Sequence, residues 1–466
     1  MTIEAFRAEL GDIPVQDHPR LVQQKSRDHY WYSPVLKAKL DDVTAEIVVS
    51  PRSNEEVKTI LRAAYKNGVA ITPRGAGTGN YGQAMPLSGG AILDLMNMDK
   101  VLEIKRDRVR AQAGAIIEKM DHETIAAVGG EQRFHPSTYR MASIGGFIAG
   151  GSGGVGSIRW GGLRALGSIL GLKVITCEAE PRELDFVGED ILKVAHAYGT
   201  NGIIVEAEMP LAPAHEWIDM IVGFDDFLDA CRFAEATALQ DGLLIKELAP
   251  CAAPIPEAYF NRHKPYLKDG QSVVLLMVAP VSAAAMTLFV QHMKGDLRFR
   301  SDEISEDEKK KLPPVFELAW NHTTLRALKV DPTITYLQTR YPSVEHVEKI
   351  ISIFGDELPM HIEMTRQDGI VTFAGLPLVR YTTEARLEEI IRIHEDNGCD
   401  VFNPHRYTLE EGGMKRTNQD QLDFKREADP KGILNPGKMV AWENPDFDFN
   451  AGRAWLFDGL NPVRAA

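Results

Sequence analysis

Two glycine-rich stretches hold most of the chemistry legible in this 466-residue chain. The first, Arg74 to Gln83, contains Gly77-Thr78-Gly79-Asn80-Tyr81-Gly82, a formal GxGxxG. That pattern marks a dinucleotide turn when a strand precedes it and a helix follows. The strand is there, as VAITP, but Pro86, Ser88, Gly89 and Gly90 follow and the chain runs into AILDL. The helix N-terminus that a nicotinamide-type turn uses is therefore missing. What remains is an anion nest: glycines permit positive φ and lack Cβ, so successive N–H groups from Arg74, Gly75, Ala76, Gly77, Thr78, Gly79, Asn80 to Gln83 can converge on a diphosphate.

The second stretch runs from Ser143 to Gly162, and nine of the eighteen residues from Gly145 to Gly162 are glycine. At roughly 0.5–1 kcal/mol each relative to alanine, they cost on the order of 4–9 kcal/mol, comparable to the net stability of a domain. A ligand bound to the native state offsets such a cost. The alternative is a flexible linker. Against it stand the interleaved Ile144, Phe147, Ile148, Val155, Ile158 and Trp160, too apolar for a Gly/Ser spacer. Gly150, Gly153 and Gly154 join the expected phosphate-facing set.

A third constellation, His405-Arg406-Tyr407, lies in FNPHRYTLEEGG from Phe402. Arginine offers a rigid fork of donors suited to a carboxylate or phenolate, which makes Arg406 the expected substrate anchor. Histidine titrates near neutrality, so His405 suits removal of a hydroxyl proton while hydride leaves the adjacent carbon, with Tyr407 assisting. An ordinary loop with a surface arginine is the alternative. Arg340, Tyr341 and His322 read as structural.

The elements that must position these residues alternate. AEIVVSP reads as a strand, followed by a helix opened by Ser53 with Glu56 three residues on and closed at Asn67-Gly68. VAITP and AILDLM are the next strands, then VRAQAGA, a helix near Ile116 to Val128, and, after the second glycine stretch, LGSILGLKVIT and YGTNGIIVEAEMPLAP. From Trp217 strands and helices alternate without glycine loops: WIDMIVGF, DDFLDACRFAEATAL, LLIKELAP, SVVLLMVAP, then TITYLQTRYP, MHIEMTR and IVTFAGLPL. An antiparallel sheet with helices on one face is expected there. SDEISEDEKKK from Ser301 reads as a solvated connection.

Size and charge narrow the class. The length exceeds what one core usually serves. A net charge of -14 argues against nucleic acid and anionic lipid. Four scattered cysteines form no disulfide or zinc framework, and with no secretory signal or membrane span in the sequence a cytoplasmic protein is expected.

EIVVSPRSNEEVKTILRAAYKNGVAITPRGAGTG, HPSTYRMASIGGFIAGGSGGVGSIRWGGLRALGSILGLKVIT, AYGTNGIIVEAEM and DPKGILNPGKM, in that order, resemble the vanillyl-alcohol oxidase and p-cresol methylhydroxylase type of FAD-binding oxidoreductases, including the glycolate oxidase D-subunit branch. The resemblance implies an α+β fold: a two-subdomain FAD-binding domain (1–213), an α+β substrate or cap domain with an antiparallel sheet (214–410), and a C-terminal segment (411–466) returning to the first. It implies flavin-lining roles for Pro136, Ser137, Ser143, Ile144, Gly145, Gly146, Ile203, Asn435 and Lys438. Thr78 stands where some members carry a tethering histidine, and no cysteine lies in the second stretch, so FAD is expected to bind non-covalently. One branch carries a divalent-metal site from paired histidines seven apart; here Asp368 follows His361 at that spacing, and Pro404 precedes His405. His361, Glu363 and His405 are the conceivable ligands. An isolated His361 packed on a sheet is the favoured alternative, and no metal is expected.

The resulting expectation is a FAD-dependent oxidoreductase acting on a small alcohol of 2-hydroxyacid or para-substituted phenol type. A FAD-binding subunit or regulator without its own turnover is the alternative. The electron acceptor and assembly into a homo-oligomer stay open.

Overall fold

The computed structural model describes residues 3–151, 153–367, 369–412 and 418–448. The chain folds into two compact units, one from 1–152, 163–213 and 403–466, the other from 153–162 and 214–402.

In the first unit a four-stranded sheet takes the order Val15–Gln16, Ile47–Val49, Ala91–Asp94, Ile71–Arg74. The last three strands are mutually parallel, and the residues of Ile47–Val49 and Ala91–Asp94 are all buried, as two-sided burial requires. The helix Asn54–Asn67 makes the crossover. Ser53 Oγ accepts from the Glu56 N–H, and Gly68 closes the helix at φ 65°, so both end signals act as the sequence indicates. Ile433 and Asn435 flank the open edge of Ile71, exchanging two backbone bonds of 2.8 Å with it. A second, antiparallel sheet of six strands orders Val101–Ile104, Arg108–Gln112, Ile203–Pro213, Gly171–Ile175 and Glu183–Phe186, with Gly130–Gln132 also paired to Ile203–Pro213.

The second unit holds two four-stranded antiparallel sheets where the sequence suggested one. Ile245–Cys251, Ser272–Val278, Ile218–Phe224 and Asp296–Arg300 form the first; Ile362–Gln367, Ile370–Gly375, Gln338–Tyr341 and Asp400–Phe402 form the second. A bridge between Cys251 and His361 joins their edges. TITYLQTRYP is split at Leu337: Ile334–Tyr336 pairs with Leu378–Arg380 in a separate ribbon, while Gln338–Tyr341 enters the second sheet. The charged run after Ser301 is mostly exposed and carries the short helix Glu306–Lys309, which Ser305 and Glu308 cap reciprocally. Among the described residues no helix is long and apolar enough to cross a membrane, and all four cysteines are free and buried.

Candidate cofactor site

The first glycine stretch leaves the strand Ile71–Arg74 and stays irregular until Ala91, so no helix follows it. Among the described residues the N–H groups of Gly77, Thr78, Gly79 and Asn80 make no hydrogen bond, while Ala76 N–H reaches Ser143 Oγ at 3.4 Å. Four consecutive unused donors on a partly exposed loop are what an anion nest needs. Gly77 sits at φ 69°, and a Cβ there would lie 1.8 Å from an Arg74 guanidinium nitrogen. Arg74 itself donates to the carbonyls of Lys25, Gly75 and Arg27, bracing the loop from beneath. Burial pulls its pKa below the ordinary value, and the nearby Asp94 and Asp28 oppose that pull.

The second stretch is not one loop. Ile144–Gly150 is a helix ended by Gly151 at φ 67°, and Ser157–Trp160 is another short turn of helix. Its apolar residues explain this: Ile144, Phe147 and Ile148 fall on one face and are buried. The glycines let that helix press against its neighbours. A Cβ on Gly145 would come 2.5 Å from Ala113 Cβ, and one on Gly75 would meet Ser143 Oγ at 2.0 Å. The helix start is partly satisfied by Ala115 and Ala113 carbonyls, which take the N–H groups of Ile144 and Gly145. Gly146 N–H makes no bond among the described residues, beside the first loop, since a Cβ on Gly75 would lie 3.5 Å from Gly146 Cα.

The two glycine stretches therefore meet at Gly75, Ser143 and Gly146. Pro136 and Ser137 are half-buried in the turn that brings Thr138 Oγ1 to within 3.4 Å of Thr78 Oγ1. Gly150 lies near the Gln83 side chain, its Cβ position 3.6 Å from Nε2. Gly153 and Gly154 belong to the second unit, where Gly153 faces Trp320 and Gly154 N–H donates to Ser157 Oγ. Ile203 is buried at the start of its long strand, in register with Ile175.

Residues distant in sequence complete the first unit's site. Asn435, at φ 42° and 1% exposed, donates its amide to the carbonyls of Gln83 at 2.9 Å and Tyr198 at 2.7 Å. Its Oδ1 is buried with no partner among the described residues, an acceptor left for a donor from outside the chain. Lys438 donates to the Gly82 carbonyl, and its ammonium lies 4.9 Å from the centre of the Tyr407 ring. His405 is buried, with Nδ1 2.7 Å from Ser33 Oγ and its own N–H on Asn403 Oδ1. Arg406 and Tyr407 are half-buried. Ser33 and Asp28 were not singled out in the sequence; neither sits in a motif.

The second unit holds a separate polar cluster that sequence reasoning saw only in part. His361 Nε2 lies 2.8 Å from Glu363 Oε1, with both side chains fully buried. Trp320 joins them, donating its N–H to Glu363 and its indole N–H to Glu247 at 3.1 Å. Burial pushes Glu247 well above the carboxylate range, with the adjacent Glu363 adding to the shift. Burial also lifts Glu363 to about 7, although its bonds from Glu247 and Trp320 pull the other way. His361 is pushed down to about 3 by the same loss of solvent. No group of three His, Cys, Asp or Glu among the described residues is arranged to hold a metal. His361 and Glu363 pair with each other, His405 belongs to the other unit, and Asp368 lies outside the described residues.

Residues 45–185 match the family described as FAD binding domain. The chain carries a FAD-binding domain. Its glycine nest, the unused N–H of Gly146 and the unpartnered Asn435 acceptor fit such a cofactor. The domain is similar to that of the glycolate oxidase subunit GlcD of Bacillus subtilis, 30% identical over 197 residues, 40% of this chain and 41% of that protein. The D-2-hydroxyglutarate dehydrogenase of Xanthomonas citri pv. viticola is 31% identical over 194 residues, 38% of this chain and 40% of that protein. The matches thus span about two fifths of these relatives. Over 96% of the chain the fold is that of p-cresol methylhydroxylase, with a TM-score of 0.70, 14% identity and 97% of that chain covered. The α+β architecture and the resemblance drawn from the four motifs therefore hold for the FAD-binding domain and for the fold.

Proposed function

We propose that the protein is a FAD-dependent oxidoreductase that takes hydride from a small alcohol carrying an anionic or phenolic handle. The observation that carries this reading is the meeting of the Gly77–Asn80 nest with the Ile144–Gly150 helix inside the FAD-binding domain. Bound FAD supplies the two-electron acceptor. The chain supplies binding, orientation and proton handling. Gly75, Gly77, Thr78, Gly79, Asn80 and Gly146 offer backbone donors to the diphosphate, Ala76 N–H ties the loop to Ser143, and Asn435 offers its spare oxygen to a ligand donor. Arg406 anchors the substrate's anionic end through two parallel hydrogen bonds. His405 accepts the hydroxyl proton as hydride departs, and Ser33 fixes the orientation of its ring. Tyr407, beside the Lys438 ammonium, donates to the same oxygen.

Relatives named for glycolate and D-2-hydroxyglutarate favour a 2-hydroxyacid, whereas the p-cresol methylhydroxylase fold keeps a para-substituted phenol in view. Thr78, whose hydroxyl meets Thr138, supports a flavin held without a covalent bond. Free, buried cysteines accord with a reducing cytoplasm.

The test is anaerobic mixing of the yellow holoprotein with a panel of 2-hydroxyacids and para-alkylphenols, followed at the flavin's visible band. One class is expected to bleach it, and Arg406→Met to abolish the bleaching while leaving FAD bound. Acid precipitation is expected to release the flavin into the supernatant. Bound FAD that no member of either class reduces would overturn the oxidation reading. It would favour a subunit that turns over only with partners, as the name of the Bacillus relative suggests.

A further inference from the structure

The first glycine loop is gripped by segments from near both ends of the chain, neither within residues 45–185. Gly82, Gln83 and Ala84 are consecutive, and each commits one backbone polar group to a buried side chain. Lys438 Nζ donates to the Gly82 carbonyl, Asn435 Nδ2 to the Gln83 carbonyl at 2.9 Å, and Ala84 N–H donates to Asp28 Oδ2 at 3.3 Å. The other Asp28 oxygen accepts the Tyr30 N–H at 2.9 Å, and the neighbouring His29 N–H donates to the Gly79 carbonyl at 2.7 Å. Asp28 is 3% exposed and Lys438 is fully buried. Burial pushes Asp28 up and Lys438 down, while the opposite charge of each partner resists the shift in the other.

Two buried opposite charges are poor evidence for stability, because apolar side chains of similar volume often serve the fold as well. Apolar side chains cannot, however, hold a carbonyl and an N–H two residues apart on a loop rich in glycine. Left alone, that loop has the backbone freedom to spend its donors on itself or on water. Held at Gly79, Gly82, Gln83 and Ala84, and braced below by Arg74, it keeps the Gly77–Asn80 donors unpaired.

We propose that Asp28 and Lys438 are positioning residues for the FAD diphosphate: their hydrogen bonds to Ala84 and Gly82 set the first glycine loop in its anion-binding conformation before the cofactor arrives. The proposal rests on the assignment of FAD to this loop. It makes the N-terminal segment around Asp28 and His29 a working part of the cofactor site. The gain is preorganisation, since ordering the loop is no longer charged against binding.

The test compares full-length wild type with Asp28→Asn, Lys438→Met and the double variant. FAD affinity and release are read from the recovery of flavin fluorescence on dilution, and the melting temperature is read on the flavin-free protein. Each single variant is expected to melt lower, because it leaves one buried charge without the opposite charge that offsets its burial. The double variant is expected to regain most of that loss and still bind FAD at least about tenfold more weakly than wild type, which is 1.4 kcal/mol. Lys438→Arg keeps the charge and displaces the donor; it is expected to melt near wild type and release FAD faster. A double variant that binds FAD like wild type, or affinities that simply follow melting temperature across the set, would overturn the proposal. If only Lys438→Arg folds, an unchanged FAD release rate overturns it equally. Wild type with no affinity for FAD would instead overturn the cofactor assignment itself.

Discussion

Replacing Glu363 with glutamine removes an ionisable group from a dry site while preserving its shape. In the wild type Glu363 Oε1 faces His361 Nε2 at 2.8 Å and accepts the Trp320 N–H, roles an amide oxygen can keep. Burial raises the carboxyl from 4.5 to about 7. Between those values the folded chain holds a proton that the unfolded chain has released, so its contribution to stability is complete below pH 4.5 and is lost as pH rises through about 7. The group is fully buried, and the difference converts to about 3 kcal/mol. Glu247, raised by the same cause, slopes the same way. His361 slopes oppositely: lowered to about 3, it contributes stability present above 6.5 and lost as pH falls through about 3. Above pH 6.5 only the two carboxyls remain in play. Glu363→Gln should therefore gain on wild type as pH rises from 4.5 to 8. The gap in melting temperature should widen by roughly 6–12 °C, taking 2–4 °C per kcal/mol for a unit of this size. Calorimetry of both proteins at pH 4.5, 6 and 8 measures it; loss of Glu363 also relieves part of the upward shift of Glu247, which widens the gap in the same sense. Parallel melting curves across that range would refute the proton count and with it the dryness of the cluster.

Gly75→Ala places a Cβ 2.0 Å from Ser143 Oγ and should weaken FAD binding at least about tenfold; adding Ser143→Gly removes the obstructing side chain and should restore much of the affinity, both measured by flavin fluorescence titration. Ser33→Ala deletes the cap on Leu36 N–H and the hydroxyl beside His405 Nδ1. It should cost about 1 kcal/mol in urea unfolding, and it should shift the pH dependence of flavin reduction, which a purely structural cap would leave in place.

The elements legible in the sequence were those specified locally. Ser53 with Glu56, and Gly68 at the far end, sit within the helix they delimit, so end chemistry alone locates it. The first glycine loop was readable for the same reason: Pro86, Gly89 and Gly90 exclude a following helix without reference to any distant residue. The helix within the second stretch is hidden in the sequence because glycine's low helix propensity masks the spacing of Ile144, Phe147 and Ile148. Tertiary packing decided it, since Gly145 has no room for any side chain against Ala113.

Interactions between residues far apart in the chain left no such trace. The bonds that shape the loop join Ala84 to Asp28 across 56 positions and Gly82 to Lys438 across 356, and an aspartate or a lysine out of motif looks like any solvated charge. The Trp320 backbone is the sharper case. Its φ of 52° and ψ of -146° fall in a region almost reserved for glycine, at a cost of order 1–3 kcal/mol. A tryptophan signals no such strain in a sequence. The strain becomes intelligible only when Glu247 and Glu363, from strands in two different sheets, are seen to take its two N–H groups. Each buried carboxyl takes one Trp320 N–H beside its other partners, His361 Nε2 for Glu363 and the Leu248 backbone for Glu247, and losing such a bond costs about as much as the backbone distortion. The distortion and the acid pair thus stabilise each other.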